Sequence, residues 1–338
     1  MAEQKLSSAE HRVDLAQAIE FYYERGWTDG LPVVPATPER VRLFLDAGSK
    51  AAGDTVGTVP TRGRVITAEK VAINAVLAGC KPEYMPVVLA TVEAMTAPEF
   101  NWHGSLASTM GSAPMIVVSG PAAERIGMNG GVNVFGPGNR ANATIGRAVR
   151  LIVINVTGGV PGLLDRATFG HGGKYSMCFT ENMEHSPWEP LHVQRGFAPE
   201  ESAVTVMAVQ APHQFGDHVS NTPEMFLDMF AQHMSVYGPG HGEFGAVIAP
   251  EHALIFRNAG WSKRQAAEYL HRAAISRVSE RSAMGGGSGQ GQQPRNVVST
   301  ADGLMLLVAG GDAGGFSCLI PTWAGGKLSR SATRKVRG

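Results

Sequence analysis

Glycine sets the first limit on what this chain can become. Forty-two of its 338 residues are glycine, about 12% where roughly 7% is usual, and they fall in short clusters with no collagen-like period. Glycine accepts backbone conformations closed to other residues and lets one backbone approach another, so turns and close approaches must be frequent. That favours a site assembled from Gly-rich loops over a plain helical bundle. A hydrophobic share of 43% is too high for a disordered chain, and the length suffices for one large domain or two ordinary ones. Lys+Arg and Asp+Glu are 29 each, so the basic footprint of a nucleic-acid binder is missing. No apolar run approaches the roughly 20 residues of a membrane helix. Residues 1–12 lack an apolar signal core, and three cysteines are too few for a disulfide scaffold. The expectation is a soluble, cytoplasmic protein acting on a small molecule, with no nucleic-acid or membrane partner. Glycine-rich enzymes of this size often associate, so a homo-oligomer is expected as well.

Helical patterns cover residues 14–25, a stretch opening at Thr37-Pro38, 68–77, 83–95, 143–156, 223–235 and 262–279, with Asn142 and Ser262 as N-caps. Strand patterns cover 113–119, 202–210, 244–249 and 303–309. Helices and strands mix without strict alternation, which predicts an α/β fold, with mixed α+β as the alternative, of two closely packed α/β parts. The seam is expected near 197–201, dividing the chain into 1–197 and 198–338. The composition of 284–293 is that of a flexible loop or a lid. The basic tail after Gly325 reads as a solvated end, and no internal repeat is legible.

The chemistry-rich stretch is 171–188, with His171, Lys174, Cys178, Glu181, Asn182, Glu184 and His185 interleaved with Met177, Phe179 and Met183. Buried titratable groups are costly unless paired or used. If the stretch is extended, Lys174, Ser176 and Cys178 share a face; if 181–185 is helical, Glu181, Glu184 and His185 do. Cys80 lies between two helices, where the ends of both and the charge on Lys81 act on its pKa in opposite senses. Cys318 reads as packing. The loop GPGNRAN at 136–142 opens a helix, so Arg140 and free backbone N–H groups there suit a carboxylate or phosphate, with Arg147 and Arg150 adding to the field. His103, His171, Glu181, Glu184 and His185 offer a metal alternative, without any HExxH or CxxC pattern to support it.

Five blocks carry a resemblance: DGLPVVP at 29–35, EKVAINAVLAGCKP at 69–82, GPGNRANATIGR at 136–147, GHGGKYSMCFTENMEHSPW at 170–188 and PEHALIFRNAGWSK at 250–263. Spread over most of the chain, they resemble a bacterial family related to the large regions of UGSC-type (seleno)proteins. Those carry a Sec/Cys-Gly-Ser-Cys motif and are similar to the selenocysteine components of glycine-reductase systems. The resemblance implies a thiol-centred reaction on a small molecule. Its blocks map onto Glu69, Lys70, Asn74 and Cys80, then Asn139, Arg140 and Asn142, then Lys174, Cys178, Glu181, Asn182 and Glu184. The chain departs from the pattern, since GFSC at 315–318 lacks the first thiol.

Three functions are therefore expected, in order. The first is a thiol-dependent hydrolase or lyase cleaving a carbon–heteroatom bond in a small polar, anionic molecule without a cofactor. Cys80 or Cys178 would be the nucleophile, Lys174 would tune it or donate a proton, and Glu181 or Glu184 would be the base. Glu69, Lys70, Asn74, His103, Asn139, Arg140, Asn142 and Asn182 would bind the substrate. The second is a metal-dependent hydrolase or lyase with a divalent ion on His171, Glu181, Glu184 and His185. The third is a subunit of a thiol or selenol reductase whose redox pair sits on a partner protein.

Overall fold

Alternating strand residues turn to two different cores, and that alternation dictates the architecture. The computed structural model describes residues 5–276, 278 and 295–337; the predicted loop at 284–293 lies outside the described residues. Helices α1 (Ala18–Glu24), α2 (Pro38–Ala47), α3 (Ala68–Ala78), α4 (Met85–Met95) and α5 (Trp102–Leu106) dominate the first third. The antiparallel pair β1 (Thr55–Val59) and β2 (Arg64–Thr67) interrupts them. There follow β3 (Ala113–Ser119), α6 (Pro121–Arg125), α7 (Arg140–Asn155), β4 (Cys178–Thr180), α8 (Leu191–Gln194) and β5 (Ala203–Val209). Next come β6 (His213–Gly216), α9 (Pro223–Met234), β7 (Phe244–Ile248), α10 (Pro250–Ala259) and α11 (Lys263–Ala273). The chain closes through the short β8 (Ile275–Ser276) and β9 (Arg295–Asn296), then β10 (Leu304–Val308), β11 (Phe316–Pro321) and β12 (Ala332–Lys335).

Two four-stranded mixed sheets result, in the orders β4-β3-β5-β12 and β10-β7-β11-β6. In β3, Ile116 and Val118 pack with α3, α4 and α7, while Met115 and Val117 face the second sheet. In β10, Leu304, Leu306 and Val308 pack under α9, α10 and α11, while Met305 and Leu307 face the first sheet. The period-two alternation of strands thus feeds an outer and an inner core at once. The fold is mixed α/β, in four layers ordered helix, sheet, sheet, helix. Gly245 is required at the interface: a Cβ there would lie 2.8 Å from Cβ of Ile320 in β11 and 3.2 Å from Met207 in the facing sheet.

The two sheets share one plan. Each begins with a parallel pair, β4 with β3 or β10 with β7, bridged by a helical crossover, and continues with two antiparallel neighbours. In each, the third strand is followed along the chain by a strand that crosses to the edge of the other sheet. So β5 leads to β6 beside β11, and β11 leads to β12 beside β5. This exchange means that a division at 197/198 does not separate the sheets, because β5 and β12 both belong to the first one. It also places a repeat where the sequence shows none: the plan lives in strand order, not in residue identity.

Local signals account for most boundaries. Thr37 accepts from the Arg40 N–H with Pro38 at the first helical position, and Ser262 and Gln265 form a capping box. Helix α7 starts earlier than expected. Its cap is Asn139, which accepts from the Asn142 N–H at 3.0 Å, and Asn142 is itself a buried helix residue. Helix α11 stops at Ala273, well short of the predicted end, because the chain turns into β8. The basic tail is folded rather than solvated: Arg334 and Lys335 lie in β12, and the tail's cations meet Glu99, Glu201 and Glu93. Among the described residues, no helix is long and apolar enough to cross a membrane.

Candidate active site

The parallel strands β3 and β4 end side by side, with Val118 in register with Thr180, so the next residues, Ser119 and Glu181, meet. Ser119 Oγ donates to Glu181 Oε2 at 3.1 Å, and the Leu191 N–H at the start of α8 donates to the same oxygen at 2.7 Å. Among the described residues, Oε1 accepts no hydrogen bond. Lys263, the first residue of α11, is 5% exposed, and its ammonium has no hydrogen bond or ion pair among the described residues. Burial pushes the Glu181 carboxyl up, against the opposing charge of Lys263. Burial likewise pushes the Lys263 ammonium down, against Glu181 and Glu189. The two groups therefore act on each other's ionisation without touching.

His192 completes the cluster. It is 2% exposed, and its charge bears on Glu181. Its Nε2 lies 3.3 Å from the Pro199 carbonyl, which can only accept, so Nε2 carries the proton. That leaves Nδ1 buried and without a partner among the described residues, an acceptor on a neutral ring and a donor on a charged one. A free ammonium, a free carboxylate oxygen and a free imidazole nitrogen thus share one neighbourhood, at the carboxyl ends of parallel strands where α/β folds characteristically bind ligands. Hydrogen bonds tie the surroundings together. Asn182 donates its N–H to the Val308 carbonyl at 2.8 Å and its side-chain amide to Gly310 at 3.1 Å, which stitches the end of β4 to the end of β10. Gly310 in turn donates to the Gly130 carbonyl. The Trp188 indole donates to the Trp261 carbonyl at 2.9 Å, holding the approach to α8 against the start of α11.

The other expected residues lie elsewhere or do structural work. Cys80 is buried behind the left-handed Gly79, with its Sγ donating to the Thr144 carbonyl; burial pushes its thiol up to about 12, outweighing the Thr144 side chain and the charge of Arg140. Cys178, inside β4, is likewise buried and pushed up, first by desolvation and then by Cys80. Cys318 packs in the inner core. The face shared by Lys174, Ser176 and Cys178 does not form, because Lys174 ends a 3-10 turn and β4 begins only at Cys178. Lys174 instead binds both carboxylate oxygens of Asp165, at 2.7 and 2.6 Å. Residues 181–185 are no helix: Glu184 is exposed, and His185 Nδ1 pairs with Asn182 Oδ1.

Arg140 donates to the carbonyls of Gly79 and Cys80, closing the end of α3 rather than awaiting an anion. Asn139 donates to Gly127, Asn142 bonds both ways with the Asn129 backbone, and His103 accepts from Arg62. Arg147 forks onto Asp29 at 2.8 Å twice, so the DGLPVVP block serves as its socket. Among the described residues, no three His, Cys, Asp or Glu side chains are placed to share a metal ion.

Glu69, Lys70 and Asn74 sit together on α3, far along the fold from Glu181. Burial opposes ionisation of Glu69, but hydrogen bonds from Ser8 and Ser7 outweigh it and hold the carboxyl at about 2, against 4.5 normally. A lowered carboxyl contributes stability above its unfolded pKa and loses it as pH falls through the folded one. Acidification from about pH 4.5 toward 2 should therefore release the chain around Ser7–Ser8, and Glu69→Gln should release it at neutral pH. Hydrogen exchange at those amides reads both; full protection in the Gln variant would contradict the assignment.

Comparison with protein families, with characterised proteins and with solved structures gives no match. The strand-end cluster must therefore be judged on its chemistry. Sequence reasoning found Glu181 and missed Ser119, His192 and Lys263. A signal for Lys263 existed: a cation at the first position of a helix opposes the macrodipole, so its placement there needs another reason.

Proposed function

We propose that the protein is an enzyme cleaving a carbon–heteroatom bond in a small polar molecule by proton transfer at Glu181 and Lys263. One observation carries this: a buried carboxyl and a buried amine bear on each other's ionisation with no hydrogen bond or ion pair between them among the described residues, which leaves Glu181 Oε1 and the Lys263 nitrogen for a bound molecule. Desolvation favours the neutral forms of both, an amine and a carboxylic acid, which is the pairing that general base and general acid need. In an elimination, the Lys263 amine takes a proton from carbon and the C–H electrons form the double bond. The carbon–heteroatom bond breaks, and the leaving group takes the Glu181 proton. Transfer of a proton from the ammonium to the carboxylate then restores both groups. Ser119, the Leu191 N–H and His192 orient the carboxyl and the substrate. Enclosed and protonated, Cys80 and Cys178 lend little support to a thiolate nucleophile.

Cyanate, a small reagent that carbamoylates an amine only in its neutral form, tests the assignment without knowledge of the substrate. Lys263 is expected to react at pH 7 faster than the exposed lysines, as resolved by peptide mapping, and Glu181→Gln should change its rate. A Lys263 that reacts no faster than Lys81 at every pH from 6 to about 10 would remove the amine base.

A further inference from the structure

A cavity of about 1010 Å³ opens between the N-terminal segment and the outer helices. None of the residues lining it belongs to the strand-end cluster. Its roof is aromatic. Trp27 stands 6.0 Å from Phe21, 6.2 Å from Tyr22 and 5.6 Å from His11, ring centre to ring centre. Its floor is polar and comes from helices α3 and α7. Asn155 donates its amide to Asn74 Oδ1 at 2.7 Å, and Asn74 donates to the Lys70 carbonyl at 2.8 Å. Asn155 Oδ1 is left buried with no hydrogen-bond partner among the described residues. An acceptor so placed is costly unless something donates to it.

The charges around the cavity are lopsided. Lys70, Arg12 and Arg64 line it against Glu10, and the other acid, Glu69, is consumed by Ser7 and Ser8. Lys70 Nζ currently donates to Ser8 Oγ at 2.9 Å. It can exchange that neutral acceptor for a stronger anionic one. Lys70 and Asn74 are four residues apart on α3, so their side chains share a face about one helical turn long. The side chain of Asn155 touches that of Asn74. A cation and an unpartnered acceptor therefore sit within one turn of each other, beneath an aromatic roof.

We infer that this cavity is a second ligand site, for an apolar-bodied carboxylate that carries a hydrogen-bond donor beside its acid group. The carboxylate pairs with Lys70, a turn of the Asn155 side chain brings its enclosed Oδ1 to the neighbouring N–H or O–H, and the ring system packs against Phe21, Tyr22 and Trp27. The volume matches that of sites for drug-sized molecules. Glu69 is taken up by Ser7 and Ser8 and is not available as an acid or base, so we read the cavity as a binding site separate from the strand-end cluster.

N-Phenylanthranilate has this chemistry: a carboxylate, an adjacent N–H and an aromatic body. Calorimetric titration of the full chain should show one site. Lys70→Met and Asn155→Leu should each weaken it about tenfold or more, Ile73→Trp should abolish it by filling the cavity, and the methyl ester of the probe should not bind. Lys263→Met should leave the affinity unchanged, which separates this site from the strand ends. Thermal melting checks that each variant is folded. No binding up to the solubility limit of the probe would overturn the inference. Equal affinity in folded Lys70→Met, Asn155→Leu and Ile73→Trp would do the same, as would loss of binding in folded Lys263→Met.

Discussion

Asp165→Ala is expected to destabilise the fold by about 3–5 kcal/mol, the usual cost of stripping a buried ion cluster of one sign of charge. Asp165 is 7% exposed and stands between two cations. Lys174 binds both of its oxygens, and Arg150, itself 5% exposed, approaches Oδ2 at 3.5 Å. Removing the carboxylate takes from Lys174 and Arg150 the anion they share, and Arg150 already has one buried nitrogen, Nη2, that lacks a partner among the described residues. Lys174→Met should cost distinctly less, because the Arg150–Asp165 pair survives and an apolar chain replaces the ammonium stem. Urea denaturation gives both values. If the two variants lost the same small amount, the cluster would be solvated and the argument would fail. The consequence reaches the candidate active site. Arg150 Nε donates to the Lys174 carbonyl at 2.6 Å, so the cluster fastens the loop before β4 to α7, and β4 carries Glu181 at its end.

The same cluster shows what a sequence conveys and what it withholds. Local rules placed the major elements closely: β3 runs over the predicted 113–119, and α3 and α9 begin at Ala68 and Pro223 as expected. What local rules leave open is the partner of each element. Strands β11 and β12 were missed because a packed GFSCLIP and a basic ATRK carry no clear alternation, yet each is fixed by neighbours more than 60 residues away. At the chemical groups the limit is the same. The stretch 171–188 advertises seven reactive residues, and the fold sends them in different directions: Lys174 to Asp165, Cys178 into a core, Glu184 to solvent, and Glu181 to the strand end. Only Glu181 comes within electrostatic reach of Lys263, 82 positions later, and no spacing pattern reaches that far. The resemblance pointed at Glu69, Lys70 and Asn74 as a group, and the structure does gather them, around a cavity remote from Glu181.

Replacing either member of the Glu181–Lys263 pair is expected to abolish most turnover, by about 10²–10⁴-fold, the range general acid–base groups contribute. Glu181→Gln keeps the hydrogen bonds to Ser119 and the Leu191 N–H but cannot give up a proton. Lys263→Met keeps the bulk of the side chain and loses the base. Because the two act as a unit, the double variant should be little slower than the worse single one. Cys80→Ser and Cys178→Ser should retain turnover, which separates the pair from a thiol mechanism. Stability offers a second reading that needs no substrate. A lysine whose folded pKa lies below its unfolded value of 10.5 binds fewer protons when folded. Stability therefore rises with pH between the folded and the unfolded pKa. For Glu181, raised above 4.5, the folded state binds more protons, so stability falls as pH climbs from 4.5 to its folded pKa. Denaturation across the pH range should thus show the alkaline gain in the parent chain and lose it in Lys263→Met. The decline above pH 4.5 should steepen or extend in that variant, since Glu181 then lacks the opposing charge of Lys263. If Lys263→Met instead followed the parent curve throughout, Lys263 would be an ordinary solvated lysine, and the strand-end site would lose its base.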